Sequence, residues 1–380
     1  MRRFLGHLAR FSILPAAALV ACELVLFGSG EAWSIDRVLD FQRAHPAALF
    51  LRAVDQAFYA FKYHGVVERR PRVLVLGSSR TMKFRAGMFG TAAGEFFNAG
   101  GMINSLGDLR AFCCERPPAR VPEVVIIGVD LWWLNERILP PFAFAEEIER
   151  GLTWSFDQHV TALRWLFERP ATLARELTSL AARSQPLYVG LAAREGRGGF
   201  RNDGSFATGV PVPKQGEPFV DREEPPIIER ARTATANFIP TDRVSPERLA
   251  LLSSVLDDYR TQQRLVVGYL PPLSSAVRGV LSTDPRQRDF FAAFRQLVPA
   301  LFAAHGFALV DASDPATVGM DDTGMSDGFH GEETLHAHVV RLMLEDPRVG
   351  KAFPGAPEAI ARALASPGTN QWQLDLEERY

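Results

Sequence analysis

The chain has 380 residues, with 42 Lys and Arg against 44 Asp and Glu and a formal net charge of -2. A hydrophobic fraction of 47% with 23% charged residues excludes global disorder, and the near-neutral balance leaves no basic footprint for nucleic acid. The three cysteines are Cys22 and the adjacent Cys113 and Cys114, which excludes a disulfide framework or zinc knuckle, and no internal repeat points to a solenoid or propeller.

Arg2, Arg3 and Arg10 precede an apolar run over residues 11–27, FSILPAAALVACELVLF, at the short end of what a membrane-spanning helix needs. Trp33 supplies an interfacial aromatic; against the span stand Glu23, costly inside lipid, and Pro15, which bends a helix. A cleaved signal peptide fits less well because the run continues through Leu24, Val25 and Leu26. Leu19-Val20-Ala21-Cys22 is compatible with a lipoprotein box. The expectation is an uncleaved anchor over 1–30, with the positive residues in the cytoplasm and everything after Gly28 outside it. No second stretch of similar apolarity follows, so the span is single-pass.

Residues 31–68 read as a juxtamembrane helical stalk, amphipathic through Val38, Leu39, Phe41, Leu51, Val54, Phe58 and Phe61 and interrupted at His45-Pro46. Alternating strands and helices follow. Val73-Leu74-Val75-Leu76, Glu95-Phe96-Phe97, Val124-Val125-Ile126-Ile127, Leu265 to Leu270 and Phe307 to Val310 are short apolar runs that predict five buried parallel strands. Helices are predicted over 245–260, opened by Ser-Pro, over 290–304 and over 334–344. The fold class is therefore α/β, a three-layer α/β/α arrangement with a five-strand parallel sheet over 69–350. An insertion at 131–244 interrupts it, helical over 160–182 and a long Gly- and Pro-rich loop over 190–226. Residues 351–380 read as a weakly attached tail.

In an open parallel sheet, ligands gather beyond the carboxyl ends of the strands. The first strand ends in Gly77-Ser78-Ser79-Arg80, the second in Asn98-Ala99-Gly100-Gly101 and the third in Gly128-Val129-Asp130, while Asp327-Gly328-Phe329-His330 follows the fifth. A serine on a tight turn, glycine amides and a downstream Asp-x-x-His make a candidate acyl-transfer site. A serine hydroxyl needs a base, which His330 supplies, and Asp327 fixes the imidazole tautomer. Amides at Ser79 and around Gly100 are candidates to hold the oxyanion.

On these motifs the sequence resembles the SGNH (GDSL-like) hydrolase superfamily over two pieces, residues 72–130 and 245–344. The resemblance implies a flavodoxin-like α/β/α fold and places the nucleophile at Ser79 within Gly77-Ser78-Ser79, with Ser78 the alternative. It aligns residues 98–103 with the glycine block and Asp327 and His330 with the final block. The implied oxyanion donors are Ser79, Gly100, Gly101, Ile103 and the position of Asp130. Two departures stand out. Asp130 occupies the place of an oxyanion-donating Asn, where an ionised carboxylate would repel the oxyanion, and Ile103 stands nearest the spacing of the family's oxyanion glycine. With an N-terminal anchor, the sequence is most similar to the envelope branch that assists alginate O-acetylation and lipoteichoic-acid D-alanylation. That likeness implies a glycan or acyl-ester substrate, a multi-pass membrane-bound O-acyltransferase as partner, and a catalytic domain on the periplasmic side of the inner membrane. A periplasmic carboxylesterase and a noncatalytic partner of a membrane assembly are the rival readings. No cofactor is implied.

Other features have plainer explanations beside the functional ones. His336 and His338 are two apart on a predicted helix and do not share a metal-ligand face. Trp132, Trp133 and Trp154 suit a sugar platform or simple packing. The stretch Arg201-Asn202-Asp203-Gly204-Ser205 suits a substrate loop or an Asx turn, and Cys113 and Cys114 suit small buried apolar positions.

Overall fold

Val73–Leu76 form strand β1, Phe96–Asn98 β2, Val124–Gly128 β3, Leu265–Leu270 β4 and Ala308–Asp311 β5. In the computed structural model they form one sheet in the order β2-β1-β3-β4-β5, every pair parallel. The register runs through the sheet without a break: Val75 faces Asn98 on one side and Ile126 on the other, and Ile127 faces Gly268. Every residue of β1 and β3 is buried, which is why these strands read as unbroken apolar runs rather than alternating ones. The structure describes residues 2–54, 58–115, 118, 120–138, 148, 154–181, 187–209, 226–365 and 374, with side chains from Ser12 onward.

Helices flank the sheet. Pro246–Thr261 begins as expected, with the Ser245 hydroxyl accepting from the Arg248 amide at 3.3 Å and Pro246 in its first turn. Arg288–Ala304 and Glu333–Met343 match the other two predicted helices within two residues. The chain leaves β1 toward β2 on one side and continues from β3 to β4 on the other. The carboxyl ends of β1 and β3 therefore flank the point where strand order reverses, the crevice in which such sheets place their ligands.

The chain divides into two compact units, and the parallel sheet belongs to the one made of Lys62–Glu147, Asp203–Phe206 and Pro211–Tyr380. The other comprises Met1–Phe61, Ile148–Asn202 and Ala207–Val210. In it the stretch expected to be a helical stalk contains helix Ile35–Ala44 and then a strand, Leu49–Phe50. That strand pairs parallel with Tyr188–Val189 and antiparallel with Gly198–Phe200. The Gln42 side chain secures the arrangement by donating to the carbonyls of Ala48 at 2.9 Å and Phe200 at 2.7 Å. The predicted loop over 190–226 is thus partly structured, with helix Leu191–Arg194 and strands Gly198–Phe200 and Phe206–Thr208; residues 210–225 lie outside the described residues. Strands of two or three residues are too short to show a period of two. The helical stretch of the insertion is two helices, Phe156–Phe167 and Pro170–Ala181, the second opened by Pro170.

The N-terminal segment is a single helix, Arg2–Gly28. Among the described residues no helix is long and apolar enough to cross a membrane, so the expected transmembrane helix is not found. Its last turns are built as a protein contact. Cys22, Val25 and Leu26 are fully buried against Ala162, Leu166 and Leu191. Glu23, out of place in lipid, meets His159 Nε2 at 2.7 Å. Ile13, Leu14, Val20, Leu24 and Phe27 remain exposed on the same helix.

The predicted tail also differs. Ala356–Ala365 is a helix that buries Ala356, Ile360 and Ala363 in the core that contains Val73 and Ile126, and Leu374 is buried there too. Its alanine-rich sequence has few bulky residues to announce a core face. Replacing Ile360 with Ala should cost about 2–5 kcal/mol of unfolding free energy in urea titration; a change within about 0.5 kcal/mol, as at a surface site, would return this segment to the status of a loose tail.

Candidate active site

The turn after β1 is shaped by local sterics. Gly77 has φ +151, and a Cβ there would lie 2.6 Å from the Thr81 side chain and 3.3 Å from the Gly128 carbonyl. Ser78 caps the short turn Ser79–Thr81, its hydroxyl accepting from the Arg80 amide at 3.3 Å, while the Thr81 hydroxyl donates to the Ser78 carbonyl at 3.0 Å. Asn98, fully buried at the end of β2, fastens the turn from the other side. Its Nδ2 donates to the carbonyls of Thr81 at 2.9 Å and Phe84 at 2.8 Å, and its Oδ1 accepts from the Gly100 amide at 2.7 Å. Beneath it the ammonium of Lys62 donates to the carbonyls of Asn98, at 2.8 Å, and Gly204. Complete burial brings Lys62 down to about 7, against the opposing pull of Asp203.

The result is a half-buried Ser79 whose Oγ lies 2.8 Å from His330 Nε2. The other ring nitrogen of His330, Nδ1, bonds Asp327 Oδ2. The three-residue spacing is explained by a side-chain turn: Asp327 Oδ1 accepts from the backbone amides of Phe329 at 2.9 Å and His330 at 2.8 Å, and this curls the loop so that the imidazole returns over its own carboxylate. Burial pushes the Asp327 carboxyl up, but the charge and hydrogen bond of His330, with the two amides, outweigh it and hold the group below its ordinary value. Ser78 is only 2% exposed and is a capping residue. The structure therefore joins Ser79, His330 and Asp327 and leaves Ser78 outside the relay.

The expected oxyanion donors do not converge. The Gly100 amide is spent on Asn98 Oδ1, and those of Gly101 and Ile103 both go to the Gly77 carbonyl, at 2.9 and 3.2 Å. Asp130 is fully buried and forms an ion pair with Arg80 at 2.8 Å. Burial pushes its carboxyl up, and Arg80 and the Ser78 hydroxyl offset part of that. Sequence spacing cannot tell an amide that faces a ligand from one that closes its own turn. Of the backbone amides of Ser79, Gly100, Gly101 and Ile103, only that of Ser79 is not committed to another group among the described residues.

Ser79 opens onto a cavity of about 370 Å3 lined also by Asn104, Trp132, Trp133, Arg137 and Arg248. Trp132 and Trp133 are nearly buried, and the Trp132 ring lies 6.1 Å from that of Phe329, so packing and cavity lining are combined in them. Trp154 is not among the lining residues; it donates to His159 and lies under Arg52. The Arg201–Ser205 stretch contains an Asx turn, Asp203 Oδ1 accepting from the amide and hydroxyl of Ser205. His336 and His338 separate as expected, toward the Arg80 and Val318 carbonyls respectively. The expectation of two buried cysteines is corrected: Cys114 is exposed and its thiol bonds Asp258.

Arg80, Asn104 and Arg248 escaped sequence reasoning. Arg80 stood inside the serine motif, but nothing local says that its side chain turns inward. Arg248 holds the carbonyls of Trp133 at 3.2 Å and Ile138 at 2.8 Å, and with them the cavity wall, from a helix more than a hundred residues downstream. No family model matches the sequence, and no curated protein matches it closely enough to count as a relative.

Because Asp327 titrates below its unfolded value of about 3.9, its contacts stabilise the fold above that pH and are lost as pH falls through the lowered value. The difference in unfolding free energy between wild type and Asp327→Asn should therefore shrink as pH drops below about 4. A difference that stays flat or grows there would contradict an ionised Asp327 in the relay.

Proposed function

We propose that this chain is a serine O-acyltransferase or esterase of the SGNH type, acting through an acyl-serine intermediate on acetyl esters of an extracytoplasmic polysaccharide. The observation that carries the reading is the 2.8 Å contact between Ser79 Oγ and His330 Nε2, with Nδ1 turned to Asp327. His330 takes the Ser79 proton as Oγ attacks the ester carbonyl, and Asp327 stabilises the imidazolium that results. The Ser79 amide and the side-chain amide of Asn104, which also donates to the Gly101 carbonyl at 3.4 Å, line the cavity and are the donors proposed for the developing oxyanion. Collapse expels the alcohol, protonated by His330, and leaves acyl-Ser79. The second half repeats the sequence in reverse, with His330 deprotonating an acceptor hydroxyl or water. The parallel sheet with strand order β2-β1-β3-β4-β5 supports the flavodoxin-like, three-layer reading.

Transfer to a sugar rather than to water is supported by the insertion. Trp132, Trp133 and Arg137, with Ala236, Asn237 and Ile239, all belong to it and line the cavity at the serine, where such a wall would limit access of water. Attachment to the outer face of the cytoplasmic membrane is supported by Arg2, Arg3 and Arg10 before the apolar run and by the exposed Leu14, Val20, Leu24 and Phe27. That location would place the site beside acyl groups delivered by a multi-pass O-acyltransferase. One observation favours a second reading, a noncatalytic partner of such an assembly: the amides of Gly100, Gly101 and Ile103 are all committed elsewhere.

A fluorophosphonate probe separates these readings. Wild type and Ser78→Ala should label, Ser79→Ala should not, and His330→Ala should label at least about a hundredfold more slowly. Asn104→Ala should lose about a hundredfold in turnover of an acetyl ester. With a short oligosaccharide present, mass spectrometry should find acetylated sugar dependent on Ser79. Acetate release unchanged by any saccharide would make the protein an esterase, and no labelling of wild type would leave the noncatalytic reading.

A further inference from the structure

Arg80 follows the proposed nucleophile directly, yet it is not among the residues that line the cavity and is 2% exposed. Its Nε donates to the Phe329 carbonyl at 2.9 Å and its Nη1 to Asp130 Oδ1 at 2.8 Å. Its Nη2 is shared between the carbonyls of Pro271 at 2.9 Å and Pro272 at 2.5 Å. The guanidinium lies 5.6 Å from the centre of the Trp132 ring and 5.5 Å from that of Phe329. Asp130 stands just past β3, Pro271 and Pro272 just past β4, and Phe329 immediately before His330. The Arg80 carbonyl, in turn, lies 3.1 Å from the ring of the fully buried His336.

We infer that Arg80 and Asp130 are a positioning pair for the catalytic histidine: the planar guanidinium, oriented by Asp130, grips the Phe329 carbonyl and so fixes the His330 ring at hydrogen-bond distance from Ser79. The inference rests on the serine chemistry proposed above and names what sets its geometry. A residue beside the nucleophile that also holds the backbone beside the base couples the two ends of the proton transfer directly. Displacement of a reacting group by about 1 Å can cost a hundredfold in rate. Only arginine offers a rigid fork that reaches a carboxylate and three carbonyls at once; lysine supplies one rotatable point charge. The same observation explains why a carboxylate is tolerated past β3. Asp130 is turned to the arginine rather than to the oxyanion.

The test uses the full chain and follows fluorophosphonate labelling by both endpoint and rate. Asp130→Asn and Arg80→Lys should each reach about one label per folded chain. Their maximal inactivation rate constant should fall about 10- to 100-fold with little change in the probe's apparent dissociation constant. The double variant Arg80→Met/Asp130→Leu removes both charges together, an exchange that buried ion pairs often tolerate in stability, and keeps the test decisive if a single variant unfolds. It should match wild type in melting temperature and stay slow. If the double variant is both stable and fast, or if the single variants lower only the labelled fraction while the surviving fraction reacts at the wild-type rate, the pair is structural and the inference is overturned. Absence of labelling in wild type itself would instead remove the serine chemistry on which the inference stands.

Discussion

A guanidinium withdrawn from water must be matched on nearly every side, since the effective penalty of burying an ion is several kcal/mol. Arg80 meets that demand with Asp130 and the carbonyls of Pro271, Pro272 and Phe329. These acceptors come from the ends of β3 and β4 and from the histidine loop, while Arg80 itself belongs to the turn after β1. The carboxyl edge of the sheet therefore cannot spread, nor the histidine loop lift, without exposing a buried charge. Asn98 does the equivalent on the β2 side with neutral groups, tying the Thr81 and Phe84 carbonyls to the Gly100 amide. The crevice is braced where the proposed proton transfer would need fixed geometry.

That bracing has a consequence for the chemistry. The amides of Gly100, Gly101 and Ile103 are consumed in holding the turn after β1 in place, so the glycine loop works as a brace. The carboxylate at Asp130 likewise belongs to the brace. Oxyanion stabilisation then falls to the proposed Ser79 and Asn104 donors, both on the cavity wall. The Ser79–His330–Asp327 arrangement is compact because one carboxylate orders both the backbone and the ring of the histidine, Oδ1 on the amides and Oδ2 on Nδ1.

The N-terminal helix shows how one residue can carry two meanings. Glu23 reads as a flaw in an apolar run, yet it meets His159, and Cys22, Val25 and Leu26 beside it are buried by protein. Hydropathy reports that a segment avoids water; it does not report whether lipid or protein takes water's place. On the same helix Leu14, Val20, Leu24 and Phe27 stay exposed, so its apolar residues are divided between a protein contact and an open face.

The sequence by itself determined the parallel sheet, because strands buried on both faces must be apolar without interruption, as Val73 to Leu76 and Val124 to Ile127 are. It also determined the pairing of a serine turn with Asp327 and His330, since polar residues at strand ends and a local Asp-x-x-His turn are written in adjacent positions. The two- and three-residue strands around Leu49 and Gly198 left no periodicity to read, and the alanine-rich helix over Ala356–Ala365 left no bulky stripe. Tertiary structure alone decided which of Ser78 and Ser79 meets the histidine, where the glycine-loop amides point, and that Arg80 turns inward. The serine and arginine choices depend on partners brought from fifty to two hundred and fifty residues away, and the glycine-loop amides go to Asn98 and to Gly77 of the neighbouring strand's turn; such partners are set by the packing of the sheet rather than by spacing in the chain.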